Sequence, residues 1–324
     1  MGNYLAPVYK WASFQSRFST IAVILIYLLF DLVFGPPSIS FQLVLAVFAL
    51  ALGIPHGAID HLVAIPRKPN SRFVIYILVY TLIAVLAGWL ISSWNIFGFQ
   101  AVLVMSALHF GFGDASYGNE MRSSKNLPPY KKIDVLLYGL AAGIAPVFLP
   151  LTDIRATSAL KRIHPNLINW ANGSQNSLRH FFLYYIVISI VLLAIKFKIR
   201  LALDLTLIFL LSWITPPLVA FACYFGLWHA LRHTARLVPK YEKSKILAVN
   251  GLWWGAITRA FFAGIYALVG TILLALILMI FLPGKFSSSF FWSALLIVWA
   301  LTVPHMITTA KFDRISLFHL KIRS

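Results

Sequence analysis

The sequence predicts an all-α protein, a polytopic transmembrane bundle of about ten helices with both termini in the cytoplasm. Hydrophobic residues make up 60% of the 324 positions and charged residues only 11%. A soluble domain has roughly 25% charged residues, so this chain has too few to cover a water-facing surface. Apolar segments long enough to cross a bilayer recur along the chain, and lysine and arginine gather in alternate connections between them. These observations exclude a soluble globular enzyme.

The apolar segments give ten spans when about 20 residues are taken for each crossing, all within one integral membrane domain, residues 1–324. The spans are 19–35, 39–65, 73–94, 96–118, 133–150, 180–197, 199–215, 218–238, 259–282 and 289–310. Thr215-Pro216-Pro217 predicts a tight turn between the seventh and eighth spans, because proline disrupts helical hydrogen bonding. One kinked or re-entrant element at this point would reduce the count to nine.

The distribution of charge predicts the orientation. The chain has 27 Lys and Arg against 9 Asp and Glu, a formal net charge of +18. With the N-terminus inside, 22 of the cationic residues fall in inside segments and 5 in outside segments. Since basic loops stay at the anionic cytoplasmic leaflet, we expect a multi-pass protein of the cell inner (plasma) membrane and no nucleic-acid partner. The single cysteine, Cys223, excludes an internal disulfide and a cysteine-rich metal site.

Histidines recur at a similar depth in four of the predicted spans. They are His56 in the second span, His109 in the fourth, His229 and His233 in the eighth, and His305 in the tenth. All four spans run from outside to inside, and each histidine falls in the cytoplasmic half. An ionisable side chain inside a membrane is costly and indicates a functional site. The sequence therefore predicts one histidine cluster in the core of the bundle.

The spacing of the histidines is suited to a metal ion. His229 and His233 lie four residues apart and so face the same way on a helix, an arrangement in which two imidazoles can bind one ion. Four neutral imidazoles without cysteine suit iron, zinc, copper or nickel. Composition does not choose among these metals.

Two acidic residues follow predicted ligands closely. Asp60 lies four residues after His56, and Asp114 lies five residues after His109. A carboxylate in such a place can accept the second N–H of a ligating imidazole and so fix its tautomer. We expect Asp60 and Asp114 to orient ligands, Asp114 with the poorer alignment.

Four short motifs occur in order along the chain. They are GIPHGAIDH at 53–61, ALHFGFGD at 107–114, LWHALRH at 227–233 and TVPHM at 302–306. Together they resemble the motifs of the Brp/Blh family of membrane β-carotene 15,15′-dioxygenases over a catalytic region of about residues 50–313. Each string is short, but four in the same order within a membrane chain form a specific signal.

The resemblance implies an iron-dependent oxidoreductase that cleaves the central double bond of β-carotene with dioxygen to give two all-trans-retinal molecules. Carried onto this sequence, the ferrous iron ligands of the family correspond to His56, His109, His229 and His233, and His305 matches a further histidine near the site. The resemblance also implies a functional link to a retinal-binding rhodopsin.

Other function classes remain open from the residues alone. A membrane electron carrier with bis-histidine haem needs histidines that face each other on separate helices. A metal or proton transporter needs buried His and Asp along a path, whereas these histidines share one depth. A di-iron desaturase needs about eight histidines in HxxxH and HxxHH boxes, and the sequence has one HxxxH, from His229 to His233.

Overall fold

The computed structural model describes residues 3–57, 71–281 and 290–318, and the regular elements in these ranges are helical, which confirms the all-α class. The α-helices are α1 (Ala6–Phe34), α2 (Ile39–Gly57), α3 (Ser71–Ser93), α4 (Asn95–Ser123), α5 (Lys132–Leu151), α6 (Ala156–Ile163), α7 (Gln175–Ile195), α8 (Ile199–Ile214), α9 (Pro217–Cys223), α10 (Ala230–Leu237), α11 (Glu242–Val249), α12 (Trp253–Ala263), α13 (Ile265–Phe281) and α14 (Phe290–Phe318). Short 3₁₀ turns cover Asn3–Leu5 and Pro165–Asn169, and a π-helical segment, Tyr224–His229, joins α9 to α10.

Each of the ten predicted spans is helical over most of its described residues. Eight helical segments in the described ranges are long and apolar enough to cross a membrane. The two predicted spans that are not among these eight are the seventh and the eighth. The seventh corresponds to α8, which has only 16 residues. The eighth corresponds to the stretch 217–237, which carries two arginines and is therefore less apolar. The predicted proline turn is confirmed: Thr215 and Pro216 are extended, with ψ of 155° and 151°, and Pro217 begins α9.

Helix α1 begins at Ala6, well before the predicted start of the first span at residue 19. The prediction began the span later because Lys10, Gln15 and Arg17 interrupt the apolar run in these earlier turns. Val8, Tyr9 and Ala12 on that face are fully buried and pack with residues of α4, α10 and α12. The N-terminal part of α1 is therefore a helix that packs against the rest of the bundle.

The predicted ninth span is two helices, α12 and α13, separated at Gly264. A Cβ atom on Gly264 would collide with the backbone carbonyl of Pro55 in α2. Glycine is needed here because only a residue without a side chain allows the two backbones to approach so closely. The break brings α13 alongside the end of α2.

Helices α4 and α5 also approach each other through small residues. Cβ atoms on Gly111 and Gly143 would collide with the carbonyl oxygens of Gly139 and Ala107, respectively. Small residues at such helix contacts let backbones come together in membrane bundles. This contact fixes the middle of α4, the helix that carries His109.

Candidate metal centre

The structure brings the five histidines of the predicted cluster to one place in the core of the bundle. The His56 side chain comes from the end of α2, His109 from α4, His229 and His233 from the π segment and α10, and His305 from α14. Their exposed fractions are between 2% and 7%. Residues as far apart in sequence as 56 and 305 thus form a single buried cluster.

The rings of the cluster are close together. The His229 ring centre lies 4.9 Å from that of His109 and 5.2 Å from that of His56. The His233 ring centre lies 4.9 Å from that of His56, and the His305 ring centre lies 5.2 Å from that of His56 and 4.9 Å from that of His109. The His233 ring centre also lies 5.6 Å from that of His305, so each histidine contacts at least two others.

Three of the histidines offer nitrogens that already converge. One ring nitrogen each from His56, His109 and His305 lies within 4.8 Å of the other two. Two nitrogens bound about 2.1 Å from one ion are at most about 4.2 Å apart, so the observed separations are close to those of a metal site. Sequence reasoning placed His305 near the site without a definite role, and the structure places its ring beside His56 and His109.

Several ring nitrogens in the cluster hydrogen-bond to no described residue. These atoms are Nδ1 of His56, Nε2 of His109, Nε2 of His229 and both ring nitrogens of His233. A buried polar atom without a partner is destabilising and is rare in native proteins. A cation bound among these imidazole lone pairs would satisfy them, so the residues present fit a metal of the type that histidine binds.

His229 closes the π-helical segment Tyr224–His229. Such segments are rare and occur frequently at functional sites, because the extra residue changes the direction of the side chains that follow. The ring of His229 stacks on Phe225, with centres 6.1 Å apart and planes at 19°, and contacts Phe110 at 4.6 Å. Aromatic packing therefore fixes the orientation of this imidazole.

Asp114 holds an arginine rather than a histidine. Its Oδ1 accepts a hydrogen bond from Nη1 of Arg232 at 2.8 Å, and its Oδ2 accepts one from the hydroxyl of Tyr138. A five-residue step on an α-helix turns a side chain about 140° away, so Asp114 points to a different side of α4 from His109. Asp60, the other predicted orienting residue, lies outside the described residues, as does His61, and its role stays a prediction.

Arg232 lies between His229 and His233 in the chain and ties their helix to its neighbours. Its Nη1 contacts Asp114 on α4 and, at 3.1 Å, Asp204 on α8. Its guanidinium carbon also lies 3.8 Å from the centre of the Trp228 ring. Each of the three charged side chains is at most 3% exposed, so Arg232 is held by a buried ionic network.

Arg236, one turn further along α10, makes a second buried network. It binds both carboxylate oxygens of Glu120 on α4, at 3.0 and 2.9 Å, and lies 2.7 Å from Asp313 on α14. Both arginines lie at the end of the predicted eighth span, 218–238, and the charge count from the sequence included them among the inside residues, but both are buried in α10. Their charges serve helix packing rather than the surface of a loop.

A cavity of about 350 Å³ borders the histidine cluster. His56, His109 and His305 form part of its wall, and further residues of α2, α3, α4, α13, α14 and the π segment supply the rest. Tyr76 and Tyr80 of α3 also line it, but their hydroxyls hydrogen-bond towards α14, to Thr308 Oγ1 at 3.4 Å and to the Leu301 carbonyl at 3.3 Å. The cavity wall is therefore largely apolar.

The sequence was compared with known families and proteins. The pattern of the family described as beta-carotene 15,15′-dioxygenase matches residues 47–313, well over half of the chain. The chain belongs to this family. One relative, named beta-carotene 15,15′-dioxygenase, from an uncultured marine bacterium 66A03, is 25% identical over 296 residues, which cover 87% of this chain and 96% of the relative. No solved structure matches the chain.

Membership of the beta-carotene 15,15′-dioxygenase family confirms the resemblance found in the four motifs. The matched region contains all five histidines of the cluster, the networks of Arg232 and Arg236, and the cavity-lining segments of α3, α13 and α14. Among the described residues, the elements that precede the match are the first 3₁₀ turn, α1 and the beginning of α2. The candidate centre thus lies wholly within the region shared with the family.

Proposed function

We propose that this chain cleaves the central double bond of β-carotene with dioxygen to give two all-trans-retinal molecules, at a ferrous iron held by buried histidines. One observation carries the proposal: the histidine cluster forms part of the wall of an apolar cavity within the helical bundle. The name of the family and that of the marine relative agree with this chemistry. The retinal product would serve a retinal-binding rhodopsin in the same plasma membrane.

The ligands proposed for the iron are His56, His109, His229 and His233. All four are buried, all four have a ring nitrogen that bonds to no described residue, and their rings are in mutual contact. Neutral imidazoles suit iron, and the absence of any thiol from the cluster agrees with an oxygen-activating centre. Iron, when bound, supplies the redox chemistry that activates dioxygen.

The protein itself contributes binding, orientation and exclusion of water. The apolar cavity buries the polyene and holds its central bond beside the histidines, so that the reacting groups meet in a fixed geometry. Ile77 of α3 and Leu274 of α13 border the cavity and are 44% and 41% exposed. The cavity therefore opens sideways between α3 and α13, where a carotene dissolved in the bilayer enters.

The direct test uses bacterial cells that synthesise β-carotene. Expression of the chain with iron supplied is expected to deplete the carotene and to produce retinal, measured by chromatography of the extracted pigments. The matched control is the same chain with His109→Ala, which leaves the carotene intact. Undiminished carotene and no retinal, with the wild-type protein present in the membrane, would contradict the proposal. A haem spectrum in the purified protein would favour the electron-carrier alternative.

Filling the cavity is expected to weaken substrate use without affecting the metal. A Cβ atom on Gly270 of α13 meets no described atom within 4 Å, and this residue lines the cavity. Gly270→Phe places a ring in that space and displaces the polyene, so kcat/KM falls roughly 10- to 100-fold. The substitution also removes a glycine from a helix, which does not weaken the helix.

The matched control for Gly270→Phe is Leu273→Phe on the same helix. Leu273 is 52% exposed on the outer surface, so a ring at this position leaves the cavity open and kcat/KM near the wild-type value. Iron content, measured for both variants, is expected to equal that of the wild type. Equal activity in the two variants would show that the polyene does not occupy this cavity.

A further inference from the structure

Thr309 is a buried hydroxyl at the edge of the histidine cluster. It follows His305 by one turn on α14 and is 0% exposed. Its Oγ1 lies 3.1 Å from Nδ1 of His109, 2.9 Å from the carbonyl oxygen of His305 and 3.2 Å from that of Met306. This one side chain therefore contacts an imidazole on α4 and the backbone of another histidine on α14.

The single proton of this hydroxyl decides which way the hydrogen bonds run. A threonine in a helix commonly donates its proton to the carbonyl four residues earlier, which is here the carbonyl of His305. With that proton used, Oγ1 can only accept, so Nδ1 of His109 carries a hydrogen and donates it. The neutral ring then has its lone pair on Nε2, which is the nitrogen a metal binds.

The opposite assignment leaves a buried donor unsatisfied. Donation from Thr309 to Nδ1 of His109 would place the ring hydrogen on Nε2, and this atom has no acceptor among the described residues. Such a donor, among other imidazoles, is destabilising. The described contacts therefore favour the tautomer in which His109 presents a bare Nε2 to the cluster.

We propose that Thr309 is the positioning residue of His109: it selects the metal-binding tautomer, fixes the ring orientation, and links this ligand on α4 to His305 on α14. The inference rests on the proposed function in that it assumes a metal bound by the cluster. Hydrogen-bond partners of ligating histidines act in this way in other metal sites, and their loss lowers metal affinity 10- to 100-fold.

The test compares variants of Thr309 in the purified full-length protein. Thr309→Val keeps the shape and removes the hydroxyl, whereas Thr309→Ser keeps the hydroxyl. Each protein is stripped of metal and titrated with Fe(II) under anaerobic conditions and, separately, with Co(II), whose absorption spectrum reports on the ligands. We expect Thr309→Val to raise the Kd roughly 10- to 100-fold and to change the Co(II) spectrum, and Thr309→Ser to restore both.

A neighbouring threonine provides the matched control. Thr308 hydrogen-bonds to the Pro304 carbonyl at 2.9 Å and contacts Tyr76, so Thr308→Val removes a hydroxyl of the same helix without touching His109. It is expected to leave the Kd and the Co(II) spectrum unchanged. If Thr309→Val does not fold in detergent, Thr309→Ala is the second variant without the hydroxyl. It also lacks the Thr309 methyl group, so it leaves empty space instead of adding bulk.

The outcomes separate this inference from the proposed function. Wild-type affinity in a folded Thr309 variant without the hydroxyl, with an unchanged Co(II) spectrum, would overturn the positioning role and leave the metal centre standing. A wild-type protein that binds neither Fe(II) nor Co(II) would overturn the metal-dependent function and this inference with it. Weakened binding in Thr309→Val together with recovery in Thr309→Ser would establish the role.

Discussion

Replacing His229 by alanine is expected to abolish metal binding and carotene cleavage together. The His229 ring lies within about 5 Å of both His56 and His109, with ring centres 5.2 and 4.9 Å apart, so its removal deprives the centre of an imidazole that contacts two other proposed ligands. The measurements are the iron content of the purified protein and the retinal formed by carotene-producing cells. We expect iron to fall to the background level and retinal to be undetectable.

The control for His229→Ala is a histidine on the surface of the bundle. His180, in α7, is exposed and its Nδ1 lies 2.8 Å from the carbonyl of Asn176. His180→Ala is expected to retain wild-type iron and activity. Iron content in His229→Ala equal to that in His180→Ala would contradict the assignment of His229 as a ligand, whereas retained iron with lost cleavage would place His229 at the substrate instead.

The helices and the gathering of the histidines could be predicted because both depend on local signals. Apolar length marks each span, and the direction of a span then fixes the depth of every residue in it. Because His56, His109 and His305 share a depth in spans that run the same way, a cluster needs only that these helices be neighbours. The structure makes them neighbours: the ring centre of His305 lies 5.2 Å from that of His56 and 4.9 Å from that of His109.

The partners of the buried charges could not be predicted, because pairing depends on which helices are adjacent. Arg232 contacts Asp114 and Asp204, which lie 118 and 28 residues away in the chain. The sequence suggested that Asp114 serves His109, its nearest histidine, but helical geometry turns the two apart. Neither hydropathy nor spacing shows that α8 and α10 approach α4 at this point.

The contact of Thr309 with His109 and the π geometry of Tyr224–His229 were not predicted, for two different reasons. Thr309 lies four residues after His305, so its place on the same helical face could be read from the sequence. What it contacts, a histidine 200 residues away, could not. The π geometry of Tyr224–His229 has no pattern of its own in the sequence, since it results from the packing of this segment against the helices around it.

Replacing Arg232 by methionine is expected to destabilise the fold by about 3–5 kcal/mol, the usual effect of removing one partner of a buried ion pair. The change leaves the carboxylates of Asp114 and Asp204, at most 3% exposed, without their shared cation. Asp204 keeps Arg17, whose Nε lies 2.6 Å away, so Asp114 is the more strongly affected. Thermal and denaturant unfolding of the purified protein in detergent measures the loss.

A second substitution distinguishes two causes of the lost stability: a buried carboxylate left without its cation, and the lost packing of the Arg232 side chain. Asp114→Asn removes the negative charge that Arg232→Met leaves unpaired, so the double variant is expected to recover part of the stability lost in the single variant.

The control is Lys245→Ala on α11, whose partner Glu242 is 72% exposed; an ion pair of that kind contributes about 0–1 kcal/mol. An effect of Arg232→Met no larger than that of Lys245→Ala would show that the buried network does not hold the histidine-bearing helix. A double variant as unstable as the single one would place the stabilising effect of Arg232 in its packing on Trp228 rather than in its charge.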